Sequence, residues 1–173
     1  MLTESLIREH TNLNKGILIG YSGGPDSTAL VHLLSSLKAY QEIDVKAIHI
    51  NHNLSKHSAM WENHCIETCS KLNINLITES IEIKVDGGGL ESASRKARYR
   101  VFEKILNAGD QLLLGHHSDD VAETLFMRLL RGTGPDGMEG PKLQRSLGKG
   151  VLIRPFLEIS KKQILDYLNI NNI

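Results

Sequence analysis

Short apolar or β-branched runs alternate along this chain with longer stretches of helical period. Residues 16–21 read as a buried strand, and Leu30, Val31, Leu33, Leu34 and Leu37 repeat at helical spacing over 27–37. A second strand is predicted over 45–50. A helix follows over 57–72, with Met60, Trp61, Ile66 and Cys69 at its less polar positions. A third strand over 76–83 runs into the triple glycine 87–89, a turn by composition. Next come a helix over 91–108, basic at Arg95, Lys96, Arg98 and Arg100, a strand over 111–115 and a helix over 119–130. The glycine-rich stretch 131–150 predicts an irregular connection. A fifth strand over 151–154 stops at Pro155, and Ser160, three residues before Gln163, is a capping-box start for a last helix. That helix runs to Asn171-Asn172-Ile173 with no evident terminating device.

Strands and helices in alternation predict the α/β class: a doubly wound, mostly parallel five-stranded sheet with helices on both faces. At 173 residues one compact domain over 1–173 accounts for the chain. With 23% charged residues and only 4 prolines, disorder and low complexity are excluded. No apolar run reaches the roughly 18–20 residues of a membrane helix, and the start lacks a signal-peptide pattern. Two cysteines, Cys65 and Cys69, are too few for a disulfide framework, so a reduced, cytoplasmic setting is expected. The 20 basic and 20 acidic residues exclude a uniformly basic nucleic-acid surface. The balance hides an asymmetry, a net of −3 over residues 1–86 and +3 over 87–173. Either this is ordinary variation of a solvated surface or anionic ligands meet the second half.

The sharpest chemical signal is Ser22-Gly23-Gly24-Pro25-Asp26-Ser27-Thr28, between the first strand and the first helix. Glycines there let backbone N–H groups approach phosphate oxygens, and the following helix turns its positive end to the same anion. Ser22, Ser27 and Thr28 add hydroxyls. Asp26 would repel a phosphate and is better read as holding a bridging metal ion. The Walker lysine and the dinucleotide-binding G-x-G-x-x-G turn are both missing.

This loop resembles the SGGxDS signature of the PP-loop ATP pyrophosphatases, which split ATP between its α and β phosphates. Four further stretches narrow the resemblance: His49-Ile50-Asn51-His52-Asn53-Leu54, Glu91 through Tyr99, Gly115 through Thr124 with its His116-His117-Ser118-Asp119-Asp120, and Arg131 through Gly137. In this order they are similar to the N-terminal catalytic domain of the tRNA(Ile)-lysidine synthase family, from about residue 16 onward. The resemblance implies ATP and Mg2+ as cofactors and an isoleucine tRNA and free L-lysine as partners. The reaction it implies adenylates the C2 oxygen of the wobble cytidine, releases pyrophosphate, and joins the lysine ε-amine to C2. It also implies a longer protein, with C-terminal tRNA-gripping domains that this chain does not contain. Such a piece would bind ATP and modify tRNA poorly. A homodimer stays open.

Carried onto this sequence, the resemblance implies catalytic roles for Asp26, His116, Asp120 and Arg98. Nucleotide contacts fall to Ser22, Gly23, Gly24, Pro25, Asp26, Ser27, His49 and Arg95. Glu123, Arg131, Gly132, Thr133, Gly134 and Asp136 would meet cytidine or lysine, and Asp26 with Asp120 would hold the Mg2+. These roles suit the residue types. His116, Asp120 and Glu123 stand four and three apart, so one helix can aim them at one site. A histidine near neutral pH can act as acid or base, and arginines can neutralise charge building on phosphates. Plainer readings stand beside these: Arg95 and Arg98 as a solvated helix face, Asp119 as a helix cap, Cys65 and Cys69 as packing. A tRNA thiolase of the same superfamily is disfavoured because Cys65 and Cys69 lack C-x-x-C spacing. A non-catalytic nucleotide-binding module would have no use for His116, Asp120, Arg98 and the Arg131 loop together.

Overall fold

In the computed structural model, residues 2–52, 57–83, 89–132 and 139–173 are described. Six strands form one sheet: β1 (Ile17–Gly20), β2 (Val45–Asn51), β3 (Asn75–Ser80), β4 (Gln111–Leu113), β5 (Gln144–Leu147) and β6 (Gly150–Ile153). The six helices are α1 (Glu4–His10), α2 (Pro25–Tyr40), α3 (Ser58–Lys71), α4 (Gly89–Ile105), α5 (Ser118–Leu130) and α6 (Lys161–Ile170). Strand order is β3-β2-β1-β4-β6-β5, parallel except for the β5–β6 pair. The chain moves outward from β1 through β2 to β3, then returns to the other side of β1 with β4. The order reverses there, and ligands of open α/β sheets bind beyond the carboxyl ends of the strands at that point.

Side-chain alternation along the strands sorts the core into two layers. Ile17, Ile19, Val45 and Ala47 point to the side covered by α1, α2, α3 and α6. Leu18, Ile48, Ile50, Leu112 and Leu152 point to the side where α4 lays Phe102 and Leu106. Both faces of the central strands are therefore apolar, which is why residues 16–21 read as a continuous buried run. Ile19 is fully buried between β2 and β4. Ile19→Val removes one methylene and is expected to cost about 0.5–1.5 kcal/mol. It should lower the urea midpoint without changing the slope of the unfolding curve.

Three expectations need correction. The stretch 131–150 is not irregular throughout, because β5 pairs antiparallel with β6 across a two-residue turn at Gly148 and Lys149. Its first three residues are exposed, so an edge strand of polar residues carried no apolar alternation to read. A five-stranded sheet thus becomes six-stranded. Helix α1, seven residues buried only through Ile7, is shorter than a periodic window resolves. The last helix does have a stop. Asn172 takes φ 56°, Ile173 N–H donates to Leu168 O and Asn172 N–H to Asn169 O, which is a Schellman motif with asparagine in place of glycine. Asn73 (φ 53°) ends α3 in the same way. The glycine turn at 87–89 lies outside the described residues except for Gly89, which opens α4.

Candidate active site

The loops after β1 and β4 meet at the switch point. Gly115 shows how closely they do so: a Cβ placed there would lie 3.0 Å from both the carbonyl carbon and the oxygen of Asp26. Any side chain at 115 would push the loop after β4 off the start of α2. Gly23 takes φ 82°, a left-handed conformation that glycine adopts freely, and turns the chain between β1 and α2. The turn is tied by hydroxyls. Ser27 Oγ accepts from Ser22 N–H, contacts Ser22 Oγ at 3.1 Å and reaches Gly24 O at the same distance, while Thr28 Oγ1 donates to Gly24 O. Gly24 is the N-cap of α2, and no side chain caps the helix. Its first amides are thus left for an anion.

Between the two loops and α4 opens a cavity of about 530 Å3. Ser22, Asp26, Ser27, His49, Arg98, His116 and Asp120 line it, together with apolar Ile48, Ile50 and Trp61. Seven of the expected residues are thereby brought to one place. Among the described residues, buried side-chain atoms without a hydrogen-bond partner include Asp26 Oδ1, Arg98 Nε and His52 Nδ1, and all three residues line this cavity. Unpaired buried polar atoms are costly, so their convergence on one cavity marks it as built for a polar ligand.

The electrostatics follow from burial. Desolvation raises the pKa of Asp26, with Asp120 pushing the same way and His117 and Lys161 opposing. Burial also lowers Arg98, although a guanidinium stays charged at neutral pH. His116 is held down to about 4, mainly by burial and then by Arg154, whose Nε donates to its Nδ1 at 3.2 Å. It is neutral at pH 7 and has no imidazolium proton to give as an acid. Its folded pKa lies below its unfolded value, so the unfolded chain binds the extra proton between about pH 6.5 and 4 and stability falls as pH drops through that window. His116→Gln is expected to flatten that part of a pH–stability curve. An unchanged curve would place the transition elsewhere.

His117, present in the sequence motif but given no role there, holds the centre. It is 4% exposed and is the N-cap of α5. Its Nδ1 accepts from Asp120 N–H, Asp120 Oδ2 accepts from His117 N–H, and its Nε2 lies 3.6 Å from Asp26 Oδ1. One imidazole thus stands between the two carboxylates. The His-x-x-Asp spacing was the available signal, a capping box with histidine in the serine position. Asp119 does cap a helix, but a different one: its Oδ2 accepts from Lys161 N–H at the start of α6.

Other expected residues fall elsewhere. Gly23, Gly24 and Pro25 shape the loop without lining the cavity. Arg95 is exposed, with its guanidinium 5.2 Å from the Tyr99 ring centroid and outside the cavity wall. Glu123 is exposed one turn beyond Asp120. Arg131 and Gly132 cap the C-terminus of α5, with Gly132 N–H donating to Leu129 O. Thr133, Gly134 and Asp136 lie outside the described residues, as do Asn53 and Leu54. Cys65 and Cys69 are buried on α3, and burial pushes their thiols up to about 11 and about 12. Neither is poised as a thiolate.

A PP-loop domain profile matches residues 3–173. The chain belongs to the PP-loop family. Its curated relatives include the tRNA(Ile)-lysidine synthases of Alkalilimnicola ehrlichii and Coxiella burnetii. The first is 41% identical over 153 residues, 88% of this chain and 34% of the relative. The second is 39% identical over 173 residues, 98% of this chain and 38% of the relative. The chain therefore spans a little over a third of the length of these PP-loop relatives. A U34-tRNA thiolase from Methanococcus maripaludis, solved with its [4Fe-4S] cluster, superposes with a TM-score of 0.73 at 18% identity, over 98% of this chain and 63% of that one. NMN synthetase from Francisella tularensis gives 0.58 at 16% identity, over 98% and 66%. At these identities the superpositions establish the fold. Among the described residues no helix is long and apolar enough to cross a membrane.

Proposed function

We propose that this PP-loop domain is the ATP-binding catalytic part of a tRNA(Ile)-lysidine synthase. The observation that carries the reading is the 39–41% identity to enzymes of that name across nearly the whole chain. The cavity has the chemistry the reaction needs. The open N-terminus of α2 and the hydroxyls of Ser22 and Ser27 receive the phosphates of ATP, and Arg98 neutralises the charge that grows on them. Ile48, Ile50 and Trp61, with His49 beside them, offer the apolar wall an adenine ring takes.

Asp26 and Asp120 suit Mg2+. Both offer hard oxygen donors, and Asp26 Oδ1 is buried without a hydrogen-bond partner. Two protein carboxylates are what Mg2+ commonly accepts when phosphates and water complete its shell. Bound there, the ion would supply charge neutralisation along the β and γ phosphates. His117 keeps the two carboxylates apart and oriented.

In the first step the cytidine C2 oxygen attacks the α phosphorus, the bond to the bridging oxygen breaks and pyrophosphate leaves. In the second the lysine ε-amine attacks C2, the C2–O bond breaks, AMP leaves and the amine loses a proton. Glu123, one turn beyond Asp120 on α5, is the carboxylate assigned to hold that amine and receive its proton. His116, neutral, presents Nε2–H to the cavity because Nδ1 already accepts from Arg154. It serves as a donor to an oxyanion. The remaining grip on the tRNA is assigned to protein outside this domain, which spans only 34–38% of the relatives' length.

The test is nucleoside mass analysis of an isoleucine tRNA after incubation with the chain, ATP and lysine. Conversion of cytidine to its lysine adduct at the wobble position supports the reading. Sulfur in place of lysine, or no product in a longer chain that contains this domain, would overturn it.

A further inference from the structure

Three arginines from three separate elements converge outside the ATP cavity. Arg95 on α4 and Arg145 on β5 lie 5.2 and 5.0 Å from the centroid of the Tyr99 ring. Arg154, just after β6, completes the group. It is only 3% exposed, and its guanidinium donates to His116 Nδ1 and, through Nη1, to Lys142 O. Burial would raise the pKa of Tyr99, but the charges of Arg95, Arg145 and Arg154 outweigh it and bring the phenol below its usual value. All three cations are therefore felt at one ring.

Among the described residues none of the three is paired with a carboxylate. A cation–π contact is worth about 0.5–1 kcal/mol in water and about 2 kcal/mol when desolvated. At the half-buried Tyr99 ring two such contacts do not cancel the mutual repulsion of three cations together with the burial of Arg154. Like charges gathered without counter-ions are accounted for by an anion that the group receives. Guanidiniums backed by an aromatic face match a phosphate, which accepts paired N–H donors in one plane. The group is also distinct from the nucleotide site: of these arginines' neighbours Arg98 and His116 line the ATP cavity, whereas Arg95, Arg145 and Arg154 do not.

We propose that Arg95 and Arg145, backed by the buried charge of Arg154, form a second oxyanion site that holds a backbone phosphodiester of the RNA substrate beside the ATP cavity. The proposal rests on the tRNA-modifying reading given above. The site is linked to the cavity through Arg154, whose Nε–H bonds His116 in the cavity wall. Contacts to a phosphodiester set register and orientation and carry no base specificity. Arg154, buried and already bonded to His116 and Lys142, adds its charge to the site without direct contact. It ties the site to the chemistry, since its Nε–H also fixes which nitrogen of His116 carries the proton.

The same oxyanion chemistry is offered by ATP and by pyrophosphate, and Arg145→Gln separates the sources. Arg145 is exposed and touches neither the phosphate loop nor the cavity, so the fold and the ATP site are expected to stay intact. Filter binding of an isoleucine tRNA from about 50 to 200 mM salt should show about tenfold weaker binding. The slope of log affinity against log salt should fall by about 0.7–0.9, the loss of one phosphate contact. Arg145→Lys, keeping the charge, should restore the slope. The KM for ATP and inhibition by inorganic pyrophosphate should not change. An unchanged slope would overturn the proposal. So would a raised KM for ATP or weaker pyrophosphate inhibition with tRNA affinity intact, which would assign the arginines to the nucleotide. If tRNA binds through Arg145 yet a longer chain that contains this domain forms no lysidine, the functional reading fails and the site stands. If the wild type binds no RNA, the site as assigned fails.

Discussion

Asp26→Asn is expected to lower kcat/KM for ATP-dependent pyrophosphate release by about 1,000-fold, a loss of roughly 4 kcal/mol in transition-state stabilisation. The same change should leave the protein as stable as before or more so. Burial raises the pKa of Asp26, so above that pKa the ionised side chain works against the fold. Its contribution to stability is present at low pH, where the group is protonated, and is lost as pH rises through the folded value. A neutral amide removes that penalty at pH 7. Activity and stability should therefore move in opposite directions, as they do where a site keeps a strained or unpaired group for its chemistry. Measuring pyrophosphate release and thermal unfolding on one preparation checks both. An active variant would show that Asp26 holds no metal and stabilises no charge.

Gly115→Ala is expected to cost up to about 100-fold in the same rate with only a modest loss of stability. The added methyl meets the Asp26 carbonyl carbon and oxygen at 3.0 Å, and these are backbone atoms that cannot swing aside. The loop after β4 must move, carrying His116 and His117 away from Asp26. The shift needed is a few tenths of an ångström on each backbone contact, and since misplacement by about 1 Å costs about 100-fold, that figure is the upper end of the expected loss. The strain itself should cost about 1–3 kcal/mol, as overpacking elsewhere does. The diagnostic comparison is with Ile19→Val, which lowers stability without touching the loops. If the two variants lose activity in proportion to stability, the contact between the loops has no special part in the reaction.

Much of this architecture is legible in the residues because the central strands and α2 are apolar in a way only burial explains. The phosphate loop was legible for a different reason: glycines, hydroxyls and a carboxylate between a strand and a helix leave few chemical uses. What escaped has physical causes too. The edge strand β5 is polar on three of four residues, so no periodicity marks it, although it carries Arg145. The helix stops at Asn73 and Asn172 rely on left-handed asparagines, which composition alone does not distinguish from ordinary polar residues. At His116 and His117 adjacency in the chain hides direction. One histidine accepts from Arg154, and the other stands between two carboxylates. Arg95 and Arg98 look equivalent on α4, yet only Arg98 reaches the cavity wall. A three-residue step along a helix turns a side chain by about 60° from its neighbour, and packing decides which of the two points inward.

In the proposed reaction this domain activates a base of tRNA with ATP before lysine takes part. The measurement that decides it is the burst of pyrophosphate from labelled ATP when a longer chain that contains this domain is mixed with an isoleucine tRNA in the absence of lysine. A burst that requires the tRNA and approaches one equivalent per active site is the predicted result. Pyrophosphate release that ignores the tRNA, or that appears only after lysine is added, would contradict it.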